Sequence, residues 1–236
     1  MNHGPIQAAI VAGGRGARLR PATDAIPKPM LPVAGKPLLE HQLSWLRSQG
    51  VVDVLMLLGY KAQTVSGHFG DGKRFGVALS YHVETEPRGT AGCLRDAIDK
   101  LGEDTLVVYG DLFVELDLTP LLAFHRSHTG AATLVLCKTD HPGDSDLAEL
   151  DGDQRVTALY RAKPGVPCGD MGLAAVWVLR KRLVEAVPAD RPSDFGRDVF
   201  PAALARGERL MGYQTSELVC DLGTPERIEA FGRRRA

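Results

Sequence analysis

The chain has 236 residues, of which 44% are hydrophobic, so it can bury a substantial core. At about 150 residues per domain, this length suits one large domain or two small ones. It carries 28 Lys and Arg residues against 29 Asp and Glu residues, which gives a net charge of −1. Bulk charge therefore offers no reason to bind nucleic acid or an anionic membrane, and we expect neither as a partner.

Cysteine usage and the N-terminal segment indicate a cytoplasmic protein. The cysteines are scattered without C-x-x-C spacing, which is typical of reduced, mostly buried thiols. They are Cys93, Cys137, Cys168 and Cys220. The apolar run at residues 6–11 is too short for a signal peptide or a membrane helix.

Strand-like and helix-like segments alternate along the chain. The apolar run at 6–11 predicts the first strand, and 51–58 the second, after a helix at 37–49 that Gly50 would cap. Further strands are predicted at 78–83, 105–109, 131–137, 156–160, 173–179 and 209–214, and further helices at 90–101, 118–128, 183–186, 195–205 and 225–231. This order predicts a single α/β domain over residues 1–236, a Rossmann-like three-layer sandwich with a mostly parallel mixed sheet. The chain contains no hexapeptide array, so we expect no β-helix domain.

The first strand leads directly into a glycine turn at Ala12, Gly13 and Gly14. Glycines let backbone N–H groups approach an anion closely. Arg18 follows, and Lys28 lies between two prolines, so both could bring positive charge to a polyphosphate. The segment predicts a phosphate-handling loop at the carboxyl end of a strand.

Other glycine-rich loops compete with this interpretation. No Lys-Ser/Thr pair follows the glycines, which argues against a P-loop. The third glycine of a dinucleotide fingerprint is also missing after Gly16. Taken alone, the segment could still be an ordinary glycine-rich turn with solvated arginines.

Residues 12–33, AGGRGARLRPATDAIPKPMLPV, resemble the opening of the sugar-1-phosphate nucleotidyltransferases, the nucleotide-sugar pyrophosphorylases. Their pattern is A-G-G-x-G-T-R-L-x-P-x-T followed by P-K-P-M-L-P-V, and Ala17 replaces the usual Thr. The resemblance implies transfer of a nucleoside monophosphate from an NTP to a sugar 1-phosphate. It assigns Arg18 and Lys28 to catalysis and implies Mg²⁺ as cofactor and a homodimer.

Two aspartates follow strand-like segments. Asp111 comes after 106–109 and Gly110, and Asp221 opens a D-L-G-T-P-E string. Mg²⁺ takes hard oxygen ligands and is usually held by one or two carboxylates together with substrate phosphates. The resemblance places both residues at the metal. Either Asp alone could instead be a turn former or a helix cap.

The segment Glu84-Thr85-Glu86-Pro87-Arg88-Gly89-Thr90-Ala91-Gly92 resembles the turn that borders the nucleobase in the family, most closely in GDP-mannose pyrophosphorylases. A carboxylate only accepts hydrogen bonds, and guanine presents two adjacent donors, so Glu84 favours GTP. The resemblance adds Ala12, Gly13, Gly14, Gly89 and Gly110 to the nucleotide site. The alternative is that Glu84 and Glu86 are exposed loop carboxylates.

The sugar half departs most from the family pattern. By resemblance, Glu149, Lys163, Asp170 and Gly172 bind the sugar phosphate, with Lys163 as the cation. Asp146 replaces a glycine of the family's sugar pocket, Asp170 replaces an Asn, and Ala162 replaces a Glu. Together, 141–147 and 194–201 resemble the D-glycero-α-D-manno-heptose 1-phosphate guanylyltransferase branch, which makes GDP-heptose for bacterial surface polysaccharides.

We therefore expect an enzyme that forms GDP-heptose and pyrophosphate. The alternatives are a mannose-1-phosphate guanylyltransferase, a relative using UTP, dTTP or CTP, and a regulatory sugar-nucleotide-binding protein without activity. A molybdenum-cofactor guanylyltransferase would lack the P-K-P-M-L-P segment. His125 and His128 lie on one helical face, and without a third ligand nearby we expect a solvated pair rather than a metal site.

Overall fold

The computed structural model describes residues 6–139 and 141–235, which divide into two compact units. Of these, 6–87, 108–116 and 218–235 form the first unit, and 88–107 with 117–217 form the second. No helix within the described ranges is long and apolar enough to cross a membrane.

Helices separate most of the strands up to residue 127, whereas four strands follow one another between residues 132 and 180. The strands are β1 (Gln7–Ala12), β2 (Pro32–Val33), β3 (Lys36–Pro37), β4 (Asp53–Leu58), β5 (Ala78–Val83), β6 (Asp104–Tyr109), β7 (Leu112–Glu115), β8 (Ala132–Lys138), β9 (Asp146–Leu150), β10 (Val156–Arg161), β11 (Met171–Arg180), β12 (Leu210–Gln214) and β13 (Leu218–Asp221). The helices are α1 (Ala22–Ala25), α2 (Leu38–Ser48), α3 (Ala62–Phe69), α4 (Gly89–Asp96), α5 (Leu118–Ser127), α6 (Lys181–Glu185), α7 (Phe200–Ala205) and α8 (Pro225–Arg235).

The first unit is built on parallel pairing of β4 with both β1 and β5. The register aligns Ala12 with Leu58 and Leu58 with Val83, so the three strands end at one edge. Residues 8–10 of β1 and 54–58 of β4 are buried, as expected for a parallel sheet covered on both faces. The glycine turn therefore begins at the edge where parallel sheets bind ligands.

Helix α2 packs its apolar face into the first unit, where Leu39, Leu43 and Leu46 are completely buried. Gly50 follows the helix, and its N–H donates to the Arg47 carbonyl at 3.0 Å, as the predicted cap requires. Strands β7 and β13 form an antiparallel ribbon beneath α8. The α8 residue Phe231 contacts Phe113 of β7, with ring centroids 4.5 Å apart.

The second unit has a mixed arrangement. Strand β8 pairs in parallel with β12 and antiparallel with β11, while β9 pairs antiparallel with both β10 and β11. The predicted α/β, Rossmann-like fold with a mixed sheet is confirmed. Parallel pairing dominates the first unit, whereas the strands from β8 to β11 pair with one another only in antiparallel fashion.

Several boundaries differ from the prediction. The helix predicted at 90–101 ends at Asp96, and the one predicted at 195–205 begins as a π-helix at Phe195–Val199. Helix α3 and strands β7 and β9 were not predicted, whereas β13 matches the strand-like segment that leads to Asp221. Helix α3 contains Thr64, Val65 and Gly67, which have low helix propensity, and β7 and β9 are too short to show a clear period.

The prediction of a solvated histidine pair was wrong. His125 is only 1% exposed, and its Nδ1 lies 2.8 Å from Thr133 Oγ1. His128 Nε2 contacts the same hydroxyl at 2.8 Å. Burial, reinforced by neighbouring His125, lowers the pKa of His128 to about 4. The pair belongs to the packing of β8 against α5 in the second unit.

The cysteines are all free, but they are less buried than predicted. Cys93 is buried, Cys137 and Cys220 are half-buried, and Cys168 is exposed. Burial raises the pKa of the Cys137 thiol to about 11.

Candidate active site

The glycine turn is tied to the end of the neighbouring strand. Its Gly13 carbonyl accepts a hydrogen bond of 3.0 Å from the Tyr60 N–H, two residues after β4. A Cβ atom at Gly13 would lie 2.7 Å from Glu84 Oε1, so a side chain there would displace that carboxylate. Glycine is therefore needed where the turn meets Glu84. Gly14 and Arg18, further along the loop, are exposed.

The loop then folds back over Lys28. Gly16 adopts a left-handed conformation with φ of 62°, and a Cβ there would lie 2.9 Å from Lys28 Cβ. Its carbonyl accepts from Thr23 Oγ1 at 3.0 Å. Only glycine combines this φ with so close an approach.

Lys28 is buried and ion-paired. It is 9% exposed and begins a short 3₁₀ turn after Pro27. Its Nζ donates to Asp111 Oδ2 at 2.6 Å. Asp111 follows Gly110, whose N–H donates to the Val11 carbonyl at 2.9 Å next to Ala12. The structure thus brings Ala12, Lys28, Gly110 and Asp111 together at one end of the first unit.

Asp221 lies beside Asp111 because β13 pairs with β7. The register places Asp221 opposite Leu112, and the Leu222 N–H donates to the Asp111 carbonyl at 3.0 Å. Oδ2 of Asp221 accepts a short hydrogen bond from Arg227 Nη1, whereas Oδ1 is buried without a hydrogen-bond partner.

Gly223 keeps a small space open between opposite charges. A Cβ atom at Gly223 would lie 2.6 Å from Asp221 Oδ1 and 3.2 Å from Lys28 Nζ. The unpartnered carboxylate oxygen and the buried ammonium group therefore border the same space. An added methyl group would crowd both.

The aspartates suit Mg²⁺ but would not form a complete protein cage. Across the described ranges, no cluster of at least three His, Cys, Asp or Glu side chains could hold a metal ion. Mg²⁺ usually keeps waters and takes substrate phosphates besides one or two carboxylates. Two carboxylates with one buried, unsatisfied oxygen fit that donor set. Asp111 and Asp221 remain the predicted ligands.

Glu84 is half-buried rather than exposed, unlike its neighbour Glu86. Its Oε1 would lie 2.5 Å from a Cβ at Gly59, so the carboxylate sits over two glycines at the ends of β1 and β4. Sequence reasoning missed Gly59 and Tyr60. Their position immediately after the second parallel strand was the signal that could have found them.

In the second unit, the Gly89 turn is held by a segment far away in sequence. Gly89 has φ of 73°, and a Cβ there would lie 2.4 Å from the Ser193 carbonyl oxygen. That carbonyl accepts from the Ala91 N–H at 2.9 Å. Thr90 Oγ1 donates to Asp194 Oδ2 at 2.8 Å. Ser193 and Asp194 therefore fix the shape of the turn, a role that the sequence did not reveal.

The predicted sugar residues lie on β9, β11 and the loop between β10 and β11. Gly172 of β11 is paired with Leu147 of β9. Glu149 is exposed and borders an open hollow with Tyr160, whose hydroxyl accepts from the Gly169 N–H at 3.1 Å. The hollow is also lined by Pro167 and Cys168.

Charged residues around these strands are mostly solvent-exposed. Asp146 Oδ1 accepts from Arg161 Nε at 2.6 Å, and this hydrogen bond raises the pKa of Arg161. Asp170 pairs with Lys138 at 3.6 Å, and Lys163 is exposed in the loop after β10. Lys163 and the Lys138–Asp170 pair are therefore more exposed than Lys28 and Asp111 of the first unit.

Comparison with known proteins identifies the family. The profile of the nucleotidyl transferase family matches residues 7–233. The chain belongs to this family. The described geometry places the glycine turn, Lys28, Asp111 and Asp221 within the first unit.

Within the nucleotidyl transferase family, the chain is 37% identical to mannose-1-phosphate guanylyltransferase of Mycobacterium tuberculosis over 94% of its own length. It spans only 62% of that relative's length. It is 32% identical to glucose-1-phosphate thymidylyltransferase of Streptomyces griseus, covering 97% of this chain and 72% of the relative.

A solved structure shares the fold. HddC from Yersinia pseudotuberculosis, crystallised in complex with GMP-PN, superposes with a TM-score of 0.83. The match covers 98% of this chain and all of HddC at 24% sequence identity.

Proposed function

We propose that the protein transfers the nucleoside monophosphate of an NTP to a sugar 1-phosphate and releases pyrophosphate. The observation that carries this proposal is the joint placement of Lys28, Asp111 and Asp221 beside the glycine turn. Family membership supports the same reaction class. A regulatory binding protein would not need this cation and both carboxylates together.

The sugar-phosphate oxygen attacks the α-phosphorus in line with the departing pyrophosphate. This oxygen is already an anion, so the reaction needs no general base, and rate enhancement comes from positioning and charge neutralisation. Gly13, Gly14 and Arg18 hold the triphosphate. Lys28 meets the charge that accumulates around the α-phosphate, because Asp111 fixes its ammonium group in place.

Asp111 and Asp221 would hold Mg²⁺, which when bound would neutralise phosphate charge. In the second unit, Lys163 positions the sugar phosphate, while Glu149, Asp170 and Gly172 contact the sugar. The proposal includes a cytoplasmic location and a homodimer.

We propose GTP as the nucleotide because Glu84 offers only acceptors. Its carboxylate lies directly above Gly13 and Gly59, at the end of the parallel strands. Guanine N1–H and N2 would donate to it, whereas uracil and thymine present one donor between two acceptors. Ala12 and Gly110 would contribute backbone to nucleotide binding in the first unit, and the family resemblance also assigns Gly89 to the nucleotide.

For the sugar we propose D-glycero-α-D-manno-heptose 1-phosphate, which would yield GDP-heptose for a surface polysaccharide. The altered positions Asp146 and Asp170 support a departure from common hexoses. Mannose 1-phosphate is the second candidate, favoured by the name of the 37% identical relative.

Pyrophosphate release tests the proposal directly. Purified protein with Mg²⁺ is assayed with GTP, UTP, dTTP, CTP and ATP against heptose, mannose, glucose and N-acetylglucosamine 1-phosphates. We expect the highest kcat/KM for GTP with the heptose. A preference for mannose 1-phosphate would make mannose rather than the heptose the sugar of the substrate. A preference for UTP or dTTP would overturn the proposal of guanylyl transfer. No release with any pair would favour the regulatory binding protein.

Glu84→Gln sharpens the base assignment. An unmatched buried polar group costs about 1–3 kcal/mol, so this residue alone could give about tenfold to a hundredfold discrimination. The amide can also donate to a pyrimidine carbonyl, so we expect the ratio of kcat/KM for GTP over dTTP to fall. The exposed neighbour is the control: Glu86→Gln should leave the ratio unchanged. An unchanged ratio of kcat/KM for GTP over dTTP in Glu84→Gln would indicate that backbone groups of residues 12–14 select the base instead.

A further inference from the structure

Each predicted metal ligand already has a cation partner in the first unit. Lys28 donates to Asp111 Oδ2 at 2.6 Å, and Arg227 donates to Asp221 Oδ2. Two carboxylates thus face two side-chain cations. Lys28 has an assigned role in the proposed reaction, whereas Arg227 has none.

Arg227 is held in place by the first turn of α8. The Thr224 carbonyl accepts from the Ile228 N–H at 3.1 Å, which closes that turn. One turn later, Phe231 is buried against Phe113. The Arg227 side chain is only 23% exposed, so the anchored helix keeps its guanidinium on Asp221.

The contact has opposing consequences for a divalent cation. It occupies Oδ2 and leaves the buried Oδ1 of Asp221 facing the space beside Gly223. The guanidinium also places a positive charge close to that oxygen, because Oδ1 and Oδ2 belong to the same carboxylate group. In a partly buried setting, the repulsion between the Arg227 guanidinium and a divalent cation on Asp221 would be only weakly screened.

We propose that Arg227 is a built-in counterion of Asp221 that weakens metal binding to the free protein. The proposal rests on the metal site of the proposed function. Nucleotide phosphates would supply the negative charge that offsets Arg227. The protein would therefore bind a divalent cation weakly by itself and firmly as a metal–nucleotide complex.

Mn²⁺ titration followed by electron paramagnetic resonance measures this effect without turnover. The full chain is titrated without nucleotide, and bound Mn²⁺ is obtained from the loss of the free-ion signal. Arg227→Gln and Arg227→Met should bind Mn²⁺ about tenfold more tightly than the wild type, because one nearby positive charge is removed. Arg227→Lys keeps the charge and should stay within about threefold of the wild type.

The matched control is Arg233→Gln. Arg233 lies on the same helix and pairs with Glu229 at 2.7 Å, so the substitution removes the same charge away from Asp221. Its Mn²⁺ affinity should equal that of the wild type. Equal or weaker binding by the neutral Arg227 variants would overturn the proposal. Loss of folding in both, measured by urea denaturation, would also overturn it by making Arg227 a structural residue.

Asp221→Asn separates this proposal from the proposed function. If Asp221→Asn loses Mn²⁺ binding but the neutral Arg227 variants bind no tighter, only the counterion role fails. If Asp221→Asn binds Mn²⁺ like the wild type, the metal site itself is misassigned and both fail.

Discussion

Lys28 in the first unit and Lys163 in the second are both assigned to a phosphate group, but their surroundings differ. Lys28 is 9% exposed and paired with Asp111, whereas Lys163 is exposed in a loop. A buried ion pair with good geometry fixes its charges, while an exposed side chain samples many rotamers. Under the proposed function, the first unit would thus be preorganised for the chemical step. The second unit presents charges in loops, where substrate specificity commonly resides.

An internal comparison makes this difference testable. The first unit also contains an exposed ion pair, Lys73–Asp71, with a separation of 2.8 Å, close to the 2.6 Å of Lys28–Asp111. The two pairs have similar geometry but opposite burial. Exposed pairs contribute little, so Lys73 and Asp71 serve as matched controls.

Asp111→Asn should give the largest effect. The change is nearly isosteric and keeps an oxygen that can accept from Lys28, so the fold should persist. Turnover should fall about a hundredfold or more, because a charge that would hold Mg²⁺ under the proposed function is lost. Steady-state kcat at saturating Mg²⁺ is the measurement, and Asp71→Asn should behave like the wild type. Near-normal Mg²⁺-dependent activity would remove Asp111 from the site.

Lys28→Ala should lower kcat by about a hundredfold with little change in the KM for GTP, because the proposed role of Lys28 is to meet charge that develops in the transition state. The control Lys73→Ala should change neither parameter. If only the KM for GTP rose, Lys28 would bind the substrate in the ground state. The proposal that the first unit carries the chemical step would then lose its support from Lys28.

Lys163→Ala should have the smallest effect. We expect the KM for the sugar 1-phosphate to rise about tenfold with kcat nearly unchanged, since one charge-assisted contact is lost. Lys138→Ala is the informative comparison because Lys138 pairs with Asp170. A larger rise in this KM for Lys138→Ala would indicate that Lys138, rather than Lys163, contacts the sugar phosphate. A fall in kcat as large as that of Lys28→Ala would break the proposed division between the units.

The sequence determined the fold class and the main strands because these depend on local signals. The apolar runs of β1 and β4 and the glycine turn after β1 are contiguous, so both are visible without a structure. The face of α2 and its cap at Gly50 follow from helical spacing and a single glycine. Short elements such as β7 and β9 carried no such signal.

Tertiary structure alone decided which charges meet. Asp111 and Asp221 are 110 positions apart in the chain and become neighbours only through the pairing of β7 with β13. The contact of Arg227 with Asp221 depends on how α8 packs against Phe113. Burial of His125, which overturned the solvated interpretation, depends on the packing of α5 against β8. The spacing of hydrophobic residues predicts whether a segment is a helix or a strand. The contacts of a side chain depend on which helices and strands pack together.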